Sequence, residues 1–316
     1  MNIRIKYHKK GVHDEHGVWL FTLVKNEQYL LPFFLDHYKK IGITNFVVYD
    51  DKSTDNTRNI LEQEKNCTII GFDQSFGTKI RIGNDYLPFN HILKNSIHDM
   101  FFPTKWALYV DCDEFLFLPE NEKDIHSFIN TLELSQQYHS FGPMIDFYPE
   151  RLSKRNYDSK LSPFDGCPYF DKGPIYEWNY KQDRAQTLSG IRLRLKKTML
   201  HEFPNQMSKI NNNIIFNGSS VKTPLIKHGQ GILRRGAHYT NITPSFENQI
   251  ALAHFKFCPG IDDKLEDALN NQQYYGKSIE YEFISLMLDK LNHRSLVDDN
   301  SILFQGIRSF SEGKIW

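Results

Sequence analysis

The chain has 316 residues, enough to bury a large core as one α/β domain or as a domain with an appendage. Its 38 basic residues balance 38 acidic ones, so no overall field favours nucleic acid or another polyanion. The opening residues lack the apolar stretch of a signal peptide, and no run reaches the ~18 apolar residues that span a bilayer. The sequence therefore reads as soluble, or at most peripheral to a membrane. Cys67, Cys112, Cys167 and Cys258 are scattered without a CxxC pair, which argues against a zinc site or disulfide framework and for a reducing, cytoplasmic compartment. Sequons at Asn66, Asn217 and Asn241 carry no weight without a secretory leader. The 24 Phe and 16 Tyr suit both an aromatic core and sugar-stacking surfaces.

The first half alternates two kinds of segment. Trp19–Val24 is an apolar run of strand length. Leu30, Leu31, Phe34, Leu35, Tyr38 and Ile41 then recur at helical spacing, with Pro32 in the first turn and Gly42 as the stop. Asn45–Tyr49 reads as a second strand. Ser53, Thr54 and Asp55 offer N-cap oxygens to a helix ending near Glu64. Thr68–Phe72 is a third strand, Tyr86–Met100 a helix, and Trp106–Val110 a fourth strand. Strands separated by helices predict a mostly parallel sheet covered on both faces, with ligands beyond the carboxyl ends of the strands. Three polar clusters fall at such ends: Lys25–Glu27, Asp50–Asp55 and Asp111–Glu114.

Past Glu114 the pattern loosens. Glu122–Gln137 reads as a helix and Ser140–Tyr148 as a strand. Residues 149–190, rich in Pro, Gly, Asp and aromatics, read as long ordered loops of the kind that shape an acceptor site. Ile191–Thr198 alternates apolar and basic residues like an edge strand. Residues 223–257 hold short strand-like pieces, each with a histidine, and from Gly260 onward the chain looks helical and polar.

Asp111 and Asp113, one residue apart at the end of an apolar strand, can turn toward one divalent ion. Hard Mg²⁺ or Mn²⁺ prefers oxygen ligands and leaves positions for water and phosphate. An ion there can bridge a diphosphate and stabilise the charge that develops as it departs. A solvated acidic turn is the bland reading of the same residues. Asp50 and Asp51 offer acceptors to the N–H of a base or to ribose hydroxyls, while Ser53–Asp55 can serve as caps. No Gly-rich phosphate loop follows the first strand, so neither a Walker loop nor a dinucleotide fingerprint is available.

Lys25-Asn26-Glu27, the stretch His37–Thr57 and the stretch Trp106–Leu118 together resemble the bacterial family 2 glycosyltransferases and their family 92 relatives. The likeness is close over residues 18–120. It continues loosely through Phe164–Asp171, Pro224–Tyr239 and Ala253–Phe257. The resemblance implies a GT-A fold: a Rossmann-like, mostly parallel sheet with helices on both faces, over residues 1–258. Its nucleotide half would be about 18–120 and its acceptor half about 121–258, followed by a C-terminal helical appendage at 259–316. It also implies a nucleoside-diphosphate sugar donor, most often UDP-linked, an oligosaccharide or glycolipid acceptor, a Mn²⁺ or Mg²⁺ ion and inversion at the anomeric carbon. Work on surface polysaccharide, capsule or lipopolysaccharide, at the inner membrane would follow. By position, Asp50 and Asp51 would contact the nucleoside, Asp111 and Asp113 the ribose and metal, and Asn26 and Glu27 would border the base. In some enzymes of that fold a C-terminal histidine completes the metal shell. Of His228, His238 and His254 the best placed is His238, with a core histidine as the bland reading. Lys227, Arg234 and Arg235 could instead hold the departing diphosphate or form a solvated basic edge. Inversion needs a base downstream. Among Asp146, Asp165, Asp171 and Glu177 the first choice is Asp171, between aromatics suited to a sugar, and the second is Asp146. The alternatives are a metal-dependent nucleotidyltransferase and a non-catalytic sugar-binding protein of GT-A ancestry.

Overall fold

The computed structural model describes residues 4–152, 160–208, 219–257, 261–272, 275–292 and 294–315. Cys258 and the Asn217 sequon lie outside them. In chain order the strands of the first half are β1 Lys6–Lys9, β2 Val18–Val24, β3 Ile43–Asp50, β4 Cys67–Gly71, β5 Lys79–Ile82, β6 Asp85–Pro88, β7 Trp106–Tyr109, β8 Glu114–Phe117 and β9 His139–Asp146. The helices among them are α1 Leu30–Lys40, α2 Thr57–Gln63, α3 Phe89–Phe101 and α4 Ile125–Leu134. There follow α5 Pro163–Gly166, β10 Tyr169–Asp171, β11 Tyr176–Asn179, β12 Arg184–Thr187, α6 Ile191–Glu202, α7 Pro204–Met207, β13 Val221–Lys227, β14 Arg234–Arg235, β15 Tyr239–Thr240 and β16 Ala251–His254. The chain ends with α8 Ile261–Asn271, α9 Tyr275–Lys290, β17 Ser301–Leu303 and α10 Arg308–Glu312. Among the described residues no helix is long and apolar enough to cross a membrane.

Two compact units divide the chain. One holds Met1–Gly142 and Lys222–Ile250, the other Pro143–Val221 and Ala251–Trp316. In the first unit the strands run β1-β4-β3-β2-β7-β13. The pairs β4–β3, β3–β2 and β2–β7 are parallel, and the outer pairs β1–β4 and β7–β13 antiparallel. β2, β3 and β4 are buried along almost their whole length, as a sheet covered on both faces requires. Taken by sequence order, the four parallel strands lie 3-2-1-4. The order reverses between β2 and β7, and such a switch point opens a crevice at the carboxyl ends of the strands. Gly42, with φ +100°, terminates α1 in a conformation that glycine tolerates, as its position suggests.

Two expectations for the first unit are adjusted. α3 starts at Phe89, not at Tyr86, because residues 79–88 pair as the hairpin β5–β6 and Pro88 leads into the helix. α2 starts at Thr57, whose N–H donates to Asp55 Oδ1 at 2.9 Å.

In the second unit β9 and β16 pair in parallel, Ile145 beside Ala253 and Asp146 beside His254. β10 pairs with β17 and β11 with β12. The clearest correction lies here: Ile191–Thr198 belongs to a helix, α6, not to an edge strand. Ile191, Leu195 and Met199, four apart, are its buried residues, and they join a core with Tyr148, Phe283, Ile284, Met287 and Leu288. The two-residue alternation is real but short. Burial of the four-residue stripe, about 1.5–3 kcal/mol for each large apolar side chain, decides in favour of the helix. Residues 160–190 are also more ordered than loops, holding α5 and three short strands.

Candidate active site

The first unit brings the three predicted strand ends together. In register, Val24 of β2 lies beside Asp50 of β3, and Phe21 of β2 beside Tyr109 of β7. The loops that follow β2 and β3 are laced to each other. Asn26, held at φ +56°, accepts the Thr54 N–H on Oδ1 at 2.8 Å and donates its own N–H to Ser53 Oγ at 3.0 Å. The Glu27 N–H donates to Thr57 Oγ1 at 2.7 Å, and the Gln28 N–H to Asp55 Oδ2 at 3.1 Å.

Asp50 and Asp51 are buried. Asp50 accepts the Ser53 N–H on Oδ1 at 3.0 Å and the Arg58 Nε–H on Oδ2 at 2.6 Å. Asp51 accepts the Tyr49 hydroxyl at 3.0 Å and the Phe76 N–H at 3.1 Å. Both carboxylates thus shape the loops around the strand end, with each oxygen already holding a protein donor.

Asp111 follows β7. Lys94 of α3 donates to its Oδ1 at 3.1 Å and Lys222 of β13 to its Oδ2 at 3.3 Å. Lys222 is wholly buried and also pairs with Glu114, whose Oε2 accepts the Asp111 N–H at 2.9 Å. The Asp111 side chain keeps 43% of its surface open. Burial pushes its carboxyl upward, but Lys222 and Lys94 outweigh that and hold it well below the usual carboxylate range. Burial likewise pulls Lys222 down, and Asp111 and Glu114 reverse the sign. Arg234 completes the cluster. It donates to the carbonyls of Thr223 and Ala237 and lies over the Tyr109 ring, 4.7 Å from its centroid. Its Nε is buried with no hydrogen-bond partner among the described residues.

Asp113 is half-buried two residues on. His238 is also half-buried, and its carbonyl accepts the Thr223 N–H at 2.9 Å, beside Lys222. Of the basic candidates, Lys227 pairs with Glu133 and Arg235 is exposed. His228 bonds the Tyr109 hydroxyl at 2.7 Å and stacks on His98; burial first, then His98 and Arg234, push it down to about 3.

A divalent ion shared by Asp111 and Asp113 does not fit this donor set. Both Asp111 oxygens face ammonium groups. An ion on the open side of Asp111 would be repelled by both, and Lys222 has no water to screen it. Among the described residues no group of three or more His, Cys, Asp or Glu converges as a metal-holding set. Lys94 and Lys222 are the residues that sequence reading missed. The available signals were a lysine on the buried stripe of α3, beside Leu93, and one in the otherwise uncharged start of β13.

The two base candidates lie in the second unit. Asp146 is 9% exposed and accepts from His254 Nδ1 at 2.6 Å and Arg192 Nε at 2.7 Å. Arg192 continues to Glu280 at 3.0 Å. Burial opposes ionisation of Asp146, yet Arg192 and His254 prevail and set its carboxyl at about 2. Asp171 is 4% exposed and takes the Arg194 fork on both oxygens, at 2.9 and 3.2 Å, together with the Tyr148 hydroxyl. Asp165 is engaged with Ser162 at the start of α5, and Glu177 is exposed on β11.

Residues 21–165, a little under half of the chain, match the family model of glycosyltransferase family 92. The match spans α1 and the strand ends of β2, β3 and β7. No curated protein matches the chain at a significant level.

Proposed function

We propose that the chain, which matches the glycosyltransferase family 92 model over residues 21–165, transfers a sugar from a nucleoside-diphosphate donor to an acceptor. Uridine is the favoured nucleoside, and the acceptor is a glycan or glycolipid of a surface polysaccharide. One observation carries this reading: β3, β2 and β7 are adjacent and parallel, so the loops that follow them leave the same edge of the sheet beside the point where the strand order reverses.

In this reading the 25–28 and 51–57 segments frame the nucleoside. Asp111, pinned by Lys94 and Lys222, presents a fixed, partly open carboxylate that accepts donor hydroxyls. The Asn26–Thr54 and Asp51–Phe76 bonds keep the loops from collapsing into the crevice. Inversion, which the family resemblance implies, requires a proton acceptor on the acceptor side. We assign that role to neither Asp146 nor Asp171. A carboxyl at about 2 is a weak base, and one locked in an arginine fork at 4% exposure has no lone pair facing solvent.

The test is donor turnover. The purified chain, incubated with UDP-, GDP- and ADP-linked sugars, is expected to release the nucleoside diphosphate, with UDP donors fastest. Release of inorganic pyrophosphate instead would mark a nucleotidyltransferase. Absence of any product, with no nucleotide binding by calorimetry, would leave only the non-catalytic sugar-binding reading.

A further inference from the structure

The cluster under Asp111 has the wrong charge for a cation site. Lys94, Lys222 and Arg234 are each at least nine-tenths buried; Lys94 pairs with Asp111, Lys222 with Asp111 and Glu114, and Arg234 lies within electrostatic reach of both acids. Three cations against two carboxylates leave one positive charge, and the half-buried Asp113 brings the total only to neutrality. A site that gathers Mg²⁺ or Mn²⁺ supplies an excess of anionic oxygen. Here each Asp111 oxygen already holds an ammonium group, one of them out of reach of water, so a divalent ion would meet two fixed positive charges. Withdrawing Asp111 toward an ion would cost the wholly buried Lys222 one of its two carboxylate partners and leave it Glu114 alone.

We infer that the chain supplies the positive charge itself: Lys94 and Lys222, backed by Arg234, neutralise Asp111, so that the strand end receives a diphosphate ester without a divalent ion shared by Asp111 and Asp113. Both lysines act through Asp111 and are positioning residues. They remove the charge that would repel a phosphate, and they fix the carboxylate as a hydroxyl acceptor. The inference rests on the nucleotide-sugar reading for the identity of its ligand, though not for the charge of the site. The buried Arg234 Nε, with no hydrogen-bond partner among the described residues, is a donor left over beside this cluster.

The experiment is calorimetry on the full chain in EDTA, with inorganic pyrophosphate and, separately, UDP, GDP and ADP, each repeated with MnCl₂. Pyrophosphate is expected to bind in EDTA, with manganese changing Kd by less than ~3-fold. Lys222→Met should weaken pyrophosphate by ~10-fold or more, and Lys222→Arg should restore most of it, which a merely structural role for the lysine would not require. If Lys222→Met does not fold, the wild-type comparison with and without EDTA decides alone. Pyrophosphate bound in EDTA with all three nucleotides rejected would uphold the inference and sink the nucleotide reading. Binding that collapses ~100-fold in EDTA and returns with manganese would overturn the inference and leave the nucleotide reading intact. No binding of any probe under either condition would overturn both.

Discussion

Asp111 and Asp171 are both carboxylates tied to cations, yet their settings are opposite. Asp111 sits in the first unit at a strand end, held by the point charges of two lysines, with 43% of its side chain open. Asp171 sits in the second unit with its side chain 4% exposed, clasped by the planar fork of Arg194 and by Tyr148. A lysine compensates charge without fixing every lone pair, whereas an arginine fork consumes the geometry of the whole carboxylate. The first arrangement leaves a face for a ligand; the second ties β10 to α6. Ion pairing by itself thus says little about function, and what remains exposed after pairing says much more.

The largest effect that would break this comparison is on stability. Asp171→Asn strands Arg194, and urea unfolding should show a loss of about 3–5 kcal/mol. Wild-type stability combined with lost transfer would return Asp171 to the chemistry. For Asp111→Asn the ranking reverses. Transfer should fall ~100-fold, about 2.7 kcal/mol, while unfolding shifts by less than ~2 kcal/mol, since water reaches the open side of the residue. A stability loss as large as that of Asp171→Asn would erase the contrast.

Acid sharpens it further. Asp146 has a folded-state value of about 2 against an ordinary 3.8. Its contribution is therefore complete above pH ~4 and disappears as pH falls through 2, and it amounts to about 2 kcal/mol. The stability gap between wild type and Asp146→Asn should close across that window; a gap independent of pH would mean that Arg192 and His254 do not hold the ionised form. The smallest effect is expected at Asn26→Ala, which removes the acceptor for the Thr54 N–H and puts alanine at positive φ. It should cost about 1 kcal/mol by thermal unfolding and weaken UDP binding by a few-fold. An unchanged UDP affinity would detach the 25–28 loop from the nucleoside.

Much of the first unit was legible in the residues alone. Apolar runs of four to eight residues between helical stripes can form little other than buried parallel strands, and Gly42 marks a stop because few other residues accept its φ. The three polar clusters at strand ends followed from the same pattern. Local chemistry determined these features, since neighbours within a turn or a strand supply the reason. The tertiary structure decided the rest. Lys222 stands 111 positions from Asp111 and Lys94 stands 17 away, and no spacing rule links either lysine to the acid it neutralises. α6 is a helix because its four-residue stripe found a core, although its first residues alternate like a strand. Asp146 and Asp171 became anchors only when Arg192 and Arg194 of that helix reached them. Charge compensation and burial depend on which distant segments meet, and that is settled by packing across the whole chain, not by any one stretch of it.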